Sequence, residues 1–247
     1  RNDLLVHGEQ PVAPEAEEKY LNWIRQRAEH IPLQQLTGEQ DFMGLTFSVN
    51  EHVLIPRQDT EILVEEVLKE LHDGMRVLDM CTGSGCILLS LLHYSNDCEG
   101  LGVDLSAEAL EVAGRNVLKV LTPEKAEHAH FLQSDLFEKV EGKFEIIVSN
   151  PPYIASAEVE KLMPEVRDHE PRMALDGTED GLHFYRRIIE EAGKHLVSSG
   201  MLFLEIGYDQ GQAVSELMRT EGYCEVQVVQ DYAGLDRVVL GTYCERN

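Results

Sequence analysis

Apolar and polar positions along the chain follow two periods, which together predict an ordered series of strands and helices. From Met75 onward, short apolar runs alternate with longer segments whose apolar residues recur at helical spacing. The predicted strands are 76–80, 100–105, 129–134, 144–150, 201–206, 224–230 and 237–242, and the predicted helices between them include 106–121, 181–196 and 210–219. This alternation predicts a parallel sheet that is covered by helices on both faces.

The last two predicted strands are joined by a short segment, 231–235. A right-handed crossover between parallel strands needs a longer connection, usually a helix. We therefore expect the final strand to pair antiparallel or to enter the sheet at another position.

The part of the chain before the sheet has a different pattern. Residues 15–31 place aromatic and aliphatic side chains near helical spacing, and Pro32 is expected to end this helix. Loose alternation over 38–56 predicts a β-hairpin that connects the helix to the sheet. Asp59 or Thr60 is expected to cap a further helix that runs to residue 71.

Composition and charge narrow the class of protein. The formal net charge of −24 disfavours binding to a phosphate backbone, so a protein substrate with a basic surface is the better expectation. No apolar run reaches the roughly 20 residues that a membrane span needs. The N-terminus lacks an initiator Met and a signal-peptide core, and we expect it to be the cut edge of a longer, monomeric polypeptide.

The cysteines and histidines predict neither a disulfide framework nor a metal site. No two cysteines form a CxxC pair, which indicates reduced thiols in a cytoplasmic compartment. His128 and His130 have no third ligand nearby, so a solvated loop is the preferred interpretation there. The cysteines are Cys81, Cys86, Cys98, Cys224 and Cys244.

A glycine-containing loop follows the first strand of the sheet. The strand that ends with Asp79 runs into residues 80–85, Met-Cys-Thr-Gly-Ser-Gly, and then into an apolar helix. Glycines here let the backbone turn sharply and approach a ligand closely. Asp104 ends the second strand about 20 residues later, where a carboxylate can accept hydrogen bonds from both hydroxyls of a ribose. We therefore predict a cofactor-binding loop.

The expected cofactor is S-adenosylmethionine, with S-adenosylhomocysteine as its product. Leu88 occupies the place of the third glycine of the dinucleotide fingerprint, which disfavours a pyrophosphate. Asp79 suits a positive amino or sulfonium group, although helix capping or a surface turn would also explain Asp79 and Asp104. The predicted cofactor-binding residues are Asp79, Cys81, Thr82, Gly83, Ser84, Gly85, Asp104, Leu105, Asp135, Leu136 and Asn150.

The turn Asn150-Pro151-Pro152-Tyr153 follows an apolar strand at the carboxyl end of the predicted sheet, where such folds bind ligands. Two prolines remove two N–H donors, so the backbone offers only carbonyl groups there. The Asn150 side-chain oxygen and the Pro151 carbonyl can accept both N–H groups of an NH₂, and Tyr153 offers a flat surface. These acceptors strengthen as positive charge builds on the nitrogen. We predict methylation of an amide or amine nitrogen, with Asn150, Pro151 and Tyr153 as catalytic residues; a rigid turn with a buried tyrosine is the alternative.

At these residues the chain resembles the protein-(glutamine-N5) methyltransferases that modify peptide-chain release factors, the HemK/PrmC family. The resemblance runs from about residue 31 to the end of the chain. Besides the turn it rests on 55–61, 169–177, 181–182 with Tyr185, and 204–207. Adenine-N6 methyltransferases of DNA and RNA share the turn, whereas the Glu-Pro-x-x-Ala-Leu-Asp-Gly segment is more specific to this family.

The resemblance implies a class I S-adenosylmethionine-dependent methyltransferase fold, an α/β domain with a doubly wound, seven-stranded and mostly parallel sheet. It implies three parts: an N-terminal helical domain at 1–36 that docks the release factor and is expected to be truncated, a β-hairpin connector at 37–56, and a catalytic domain at 57–247. The implied substrate is the glutamine of the factor's Gly-Gly-Gln loop, whose modification supports translation termination. The expected substrate-binding residues are Asn150, Pro151, Pro152, Tyr153, Arg57 and Glu170.

Several points stay open at this level. Glu170 either lines the substrate channel or anchors its loop, and Arg57 either reaches a ligand or pairs with a nearby acid. Cys81, Gln58 and Leu136 depart from the family, which usually has a glycine, a proline and an aromatic residue there. Adenine-N6 methylation is disfavoured by the charge and by the lack of insertions. A noncatalytic partner of the same fold is disfavoured by the intact turn and by Asp104.

Overall fold

The computed structural model describes residues 6–244, and this region begins with helices and a hairpin. The first elements are α1 (Pro14–Ala28), α2 (Leu33–Thr37), β1 (Glu39–Phe42) and β2 (Leu45–Ser48), and the two strands pair antiparallel. The expectation that Pro32 ends the first helix is wrong. Helix α1 ends at Ala28, ahead of His30, whose φ of 64° is left-handed, and Pro32 instead precedes α2.

All seven predicted sheet strands are present. They are β3 (Arg76–Met80), β4 (Glu99–Asp104), β5 (Ala129–Gln133), β6 (Phe144–Ser149), β7 (Leu196–Glu205), β8 (Tyr223–Gln230) and β9 (Asp236–Tyr243). Most ends lie within a residue of their predicted places. Strand β7 is longer than predicted because it already pairs with β6 at Leu196, before Met201.

The strand order is β5-β4-β3-β6-β7-β9-β8, and β3 to β7 run parallel. Strand β9 lies between β7 and β8 and pairs antiparallel with both. The last strand therefore both pairs antiparallel and enters the sheet at another position, so the two predicted alternatives are both correct. The chain moves outward from β3 to β5 and then returns to the other side of β3 as β6. Ligands of doubly wound sheets bind at such a reversal, outside the carboxyl ends of the strands.

Helices cover both faces of this sheet, as the alternation predicted. The helices after the hairpin are α3 (Glu61–Glu70), α4 (Cys86–Tyr94), α5 (Ala107–Val120), α6 (Pro123–Ala126), α7 (Ser156–Val159), α8 (Pro164–Arg167), α9 (His183–Ala192) and α10 (Gly211–Thr220). The short helices α7 and α8 lie in the connection between β6 and α9. Val77 belongs to a core shared with α3 and α4, whereas its neighbour Leu78 packs with α9 and α10. Successive strand residues point to opposite faces, so both faces must be apolar.

The leucine in place of the third fingerprint glycine is accommodated by a glycine on the neighbouring strand. Leu88 of α4 is fully buried. A Cβ added at Gly100 of β4 would lie 2.6 Å from Leu88 Cδ1. Helix α4 therefore packs close to the sheet because the strand, rather than the helix, lacks a side chain at the contact.

The cysteine prediction is only partly correct. Cys81, Cys86 and Cys98 are free, but Cys224 and Cys244 form a disulfide with their Cα atoms 6.1 Å apart. Cys224 lies opposite Thr242 in the ladder between β8 and β9, which brings it close to Cys244. Proximity created by strand pairing leaves no spacing motif in the sequence.

Two further features concern membranes and metals. Over residues 6–244, the structure contains no helix with the length and apolar character required to cross a bilayer. Within the same range, histidine, cysteine, aspartate and glutamate side chains do not gather in groups of three suited to a metal ion.

Candidate active site

The glycine loop and the Asn-Pro-Pro-Tyr turn begin side by side because β3 pairs with β6. Met80 and Ser149 are register partners at the carboxyl ends of these strands. The buried Ser149 hydroxyl donates a hydrogen bond to the Met80 carbonyl at 2.6 Å. Residues 81–85 and 150–153 therefore leave the sheet next to each other.

A cavity of about 1160 Å³, partly open to solvent, lies between these two loops. The carboxyl ends of β4 and β5, the segment 52–60 and the segment 171–176 complete its wall. The predicted site residues that line it are Arg57, Cys81, Thr82, Gly83, Ser84, Asp104, Leu105, Asp135, Leu136, Asn150 and Pro152. Its lining does not include Asp79, Gly85, Pro151, Tyr153 or Glu170.

Asp79 supports the glycine loop from behind. Its carboxylate is fully buried, and its Oδ2 accepts hydrogen bonds from the Thr82 hydroxyl at 2.6 Å and from the Leu88 N–H at 3.3 Å. Burial raises the pKa of Asp79 to about 7. The sequence placed Asp79 against a positive group of the cofactor. In the structure its Oδ2 faces the loop and α4, and Asp79 is not among the residues that line the cavity.

The backbone of the loop explains why the family favours glycine at the position of Cys81. Cys81 has a φ of 63°, in the left-handed region, as does Gly83 at 55°. A side chain in this region costs roughly 1–2 kcal/mol relative to ordinary backbone. The cysteine therefore preserves the path of the loop but strains it locally.

Asp104 stands at the end of β4 with its carboxylate held by backbone groups. Its Oδ2 accepts from the Gly83 N–H and its Oδ1 from the Ser106 N–H, each at 2.9 Å. Burial raises the pKa of Asp104. Each carboxylate oxygen has two lone pairs, so both retain capacity to accept a hydroxyl from a ligand.

The charges that line the cavity are mostly negative. Asp104, Asp135 and Asp176 contribute carboxylates, whereas the basic side chains on the wall are Arg57 and His52. Arg57 is itself paired with Glu170, and Asp135 is paired with Arg187 at 2.9 Å. An uncompensated Asp104 in such a cavity suits a cationic ligand and disfavours a polyphosphate.

Comparisons with known proteins identify methyltransferase domains and methyltransferase relatives. Residues 57–166 match the methyltransferase small domain, and residues 1–38 match the PrmC N-terminal domain. A release factor glutamine methyltransferase from Moorella thermoacetica is 45% identical over 244 residues, covering 97% of this chain and 85% of that protein. One from Clostridium acetobutylicum is 42% identical over 241 residues, covering 96% and 84%. The chain belongs to this family of methyltransferases.

The fold agrees with that assignment. The crystal structure of a methyltransferase from Pyrococcus furiosus matches with a TM-score of 0.60 at 18% identity, covering 90% of this chain and 99% of that one. At this identity the likeness concerns the fold alone. Together with the strand order it establishes the class I methyltransferase fold expected from the sequence.

Family segments that are remote in sequence hold the backbone of the Asn-Pro-Pro-Tyr turn in place. A Cβ added at Gly177 would lie 2.8 Å from the Pro152 carbonyl oxygen, and one added at Gly181 would overlap the Tyr153 carbonyl. The Gln210 Nε2 donates to that same Tyr153 carbonyl at 3.0 Å. Two glycines and one glutamine thus hold the turn. The sequence marked Gly177 and Gly181 as family positions but suggested no role for any of the three.

Glu170 is the anchor of its loop. Its carboxylate is buried, accepts the Ile55 N–H at 3.2 Å and forms an ion pair with Arg57. Of the two sequence interpretations, the structure supports anchoring, and it gives Arg57 both an acidic partner and a place on the cavity wall. The glutamate thereby fixes the position of the Arg57 guanidinium at the site.

Pro151 and Tyr153 are less accessible than the sequence suggested. Pro151 is buried, and the Tyr153 ring packs against the core that contains α9 and α10. Burial raises the pKa of Tyr153 above its ordinary value. The predicted flat surface for the substrate is therefore not a wall of the cavity in this structure; Pro152 lines the cavity instead.

Proposed function

We propose that this chain transfers a methyl group from S-adenosylmethionine to the side-chain nitrogen of a glutamine in a peptide-chain release factor. The single observation that carries the proposal is the pairing of β3 with β6, which brings the glycine loop and Asn150 to one cavity. Family membership supports the substrate class, because the relatives are named for this reaction.

The cavity fits the proposed cofactor. Asp104 would accept the ribose hydroxyls, and Asp135 with Leu136, after β5, would lie against the adenine. The excess of carboxylates over basic groups suits a positively charged amino acid and sulfonium group. When bound, S-adenosylmethionine supplies an activated methyl group and leaves as S-adenosylhomocysteine.

Asn150 would act on the target nitrogen directly. An amide nitrogen is a poor nucleophile because its lone pair is delocalised over the carbonyl group. The Asn150 oxygen, on the cavity wall, would accept one N–H group and hold the nitrogen in line for attack. Pro151 lies outside that wall, so its carbonyl would accept the second N–H group once the bound amide reaches past Pro152. The nitrogen gains the methyl group and a positive charge while both acceptor contacts strengthen. One proton then leaves the nitrogen, so no aspartate, glutamate or histidine base is required beforehand.

The region before the sheet supports docking of a protein. Helix α1 has no buried residue, and Tyr20, Leu21 and Ile24 are exposed on it. Arg27 at its end pairs with Glu165 of α8, which ties the helix to the catalytic part. The release factor would contact this surface while its glutamine enters the cavity. A monomeric state, a cytoplasmic location and the lack of nucleic-acid binding belong to the same proposal.

The decisive experiment uses the purified chain, S-adenosylmethionine and three acceptors: an intact release factor, the same factor with its Gly-Gly-Gln glutamine replaced by alanine, and duplex DNA. Mass spectrometry should find one added methyl group on the glutamine of the intact factor and none on the other two. A methyl group on another residue, or on adenine, would overturn the proposal. A short glutamine peptide should react much more slowly, because remote contacts then no longer hold the loop in place.

A further inference from the structure

A buried carboxylate lies directly behind the catalytic asparagine. Glu205 is the last residue of β7, and Ser149 and Leu204 are register partners at the ends of β6 and β7. Asn150, the residue after β6, and Glu205, the last residue of β7, therefore lie side by side at the carboxyl edge of the sheet. Glu205 is only 2% exposed and is not part of the cavity wall.

Thr60 completes this group from the start of α3. The Asn150 Nδ2 donates a hydrogen bond to the Thr60 Oγ1 at 3.3 Å. The neighbouring Thr60 and Asn150 side chains favour the charged form of the Glu205 carboxylate and lower its pKa, against the larger opposing effect of burial. Thr60 is itself 2% exposed.

A carboxylate accepts hydrogen bonds but donates none when it is ionised. It therefore attracts the NH₂ end of the Asn150 amide and repels the oxygen end. With the NH₂ end turned toward Thr60 and Glu205, the amide oxygen is the end left to face the cavity. The reversed amide would present an NH₂ group to the NH₂ group of the substrate, donor against donor.

We propose that Glu205 is a positioning residue that, together with Thr60, sets the orientation of the Asn150 amide so that its oxygen accepts the target nitrogen. Its negative charge behind the amide also strengthens that oxygen as positive charge develops on the nitrogen. Glu205 does not line the cavity, and Thr60 lines it with only 2% of its surface exposed, so both would act through Asn150. The inference rests on the proposed function for its catalytic consequence, but the orientation of Asn150 is a property of the free protein.

The charge on Glu205 should depend on pH within the working range. Burial raises its pKa to about 7. Below this pH the protonated carboxyl becomes a donor and loses its preference for the NH₂ end of Asn150, so turnover should fall as pH falls through about 7. The titratable groups that also act on Glu205 are Asp59, Cys86, Tyr153, Tyr185 and Arg237.

Three variants test the assignment. Thr60→Val removes the hydroxyl at nearly constant shape, whereas Thr60→Ser retains it; Glu205→Gln removes only the charge. We expect Thr60→Val and Glu205→Gln to lower kcat at least tenfold, equivalent to ~1.4 kcal/mol. S-adenosylmethionine affinity should stay within about threefold. Thr60→Ser should recover most of kcat, and the acid limb of the wild-type pH profile should be absent from Glu205→Gln.

A measurement without substrate separates this inference from the proposed function. In ¹⁵N-labelled protein, the Asn150 side-chain NH₂ resonances, assigned by their loss in Asn150→Ala, should shift with pH through about 7 and stop doing so in Glu205→Gln. If these resonances titrate but no release factor is methylated, the proposed function fails and the positioning stands. If they do not titrate, or if kcat, cofactor affinity and Tm fall together, Glu205 has only a structural role.

Discussion

The glycine loop and the Asn-Pro-Pro-Tyr turn leave neighbouring strands, yet different kinds of contact hold them. Within the glycine loop, Thr82 donates to Asp79 three residues away, and Gly83 donates to Asp104, 21 residues away. In the turn, Asn150 donates to Thr60, 90 residues away, and Tyr153 accepts from Gln210, 57 residues away. One loop is shaped by near neighbours in sequence and the other by the assembled fold.

The two loops are nevertheless supported by the same kind of group. Each rests on a fully buried carboxylate, Asp79 beneath the glycine loop and Glu205 behind the turn, and burial raises the pKa of both to about 7. In each carboxylate one oxygen has no hydrogen-bond partner among the described residues. The two loops therefore differ in the sequence separation of their hydrogen-bond partners, whereas a buried carboxylate supports both.

The largest expected effect concerns the buried carboxylate of the glycine loop. Because the folded-state pKa of Asp79 is raised from 3.8 to about 7, its contribution to stability is fully present at acid pH and is lost as pH rises through about 7. Asp79→Asn should remove this loss, on the order of 4 kcal/mol between about pH 4 and pH 8. Urea unfolding at several pH values measures it, with the exposed Asp209→Asn as the control. Equal pH dependence in Asp79→Asn and the wild type would contradict the prediction.

The next effect concerns the turn. Asn150→Ala should raise the barrier to methyl transfer by roughly 2.7–4 kcal/mol, by analogy with removing one donor from an oxyanion hole. S-adenosylmethionine affinity, measured by calorimetry, should stay largely intact because the acceptor is used mainly by the target nitrogen. A variant that keeps more than about a tenth of wild-type turnover, ~1.4 kcal/mol, shows that Asn150 does not have this role.

The third effect concerns the affinity for the cofactor, which tests the role of Asp104 at the glycine loop. Asp104→Ala should weaken S-adenosylmethionine binding by roughly 1.5–3 kcal/mol, because two hydroxyls lose a charged acceptor. Asp135→Ala is the matched control, since that carboxylate lines the same cavity but is already paired with Arg187. Calorimetry should find the larger loss for Asp104. Unchanged affinity places the ribose elsewhere, and comparable affinity for NAD removes the methyltransferase interpretation.

The smallest expected effect distinguishes the close contact of Gly181 with the Tyr153 carbonyl from the backbone strain that a side chain at positive φ causes by itself. Gly181 and Gly74 have φ values of 73° and 83°, but a Cβ meets the Tyr153 carbonyl at Gly181 and nothing within 4 Å at Gly74. Gly181→Ala should therefore destabilise the protein by about 1–3 kcal/mol more than Gly74→Ala, and it alone should reduce turnover. Equal effects of the two variants on Tm and kcat would mean that the turn does not depend on this contact.

The sequence by itself determined the elements that depend on nearby residues. Alternating periodicity predicted the seven strands and the helices on both faces, since each element must bury its own apolar side. The glycine loop with Asp104 was predicted for the same reason, because its residues are close in sequence. The net charge predicted a protein substrate, and the proline-rich turn predicted methylation of an amide or amine nitrogen. The resemblance to a family identified the expected substrate as a glutamine of a release factor.

Only the tertiary structure decided what depends on contacts between distant segments. Strand order brought Asn150 beside the glycine loop, and the ends of β6 and β7 brought it beside Glu205. The same kind of pairing joined Cys224 to Cys244. A contact between distant segments also made Glu170 an anchor, because it accepts from the Ile55 N–H, 115 residues away. No local pattern carries this information, because which strands become neighbours is settled by packing the whole sheet.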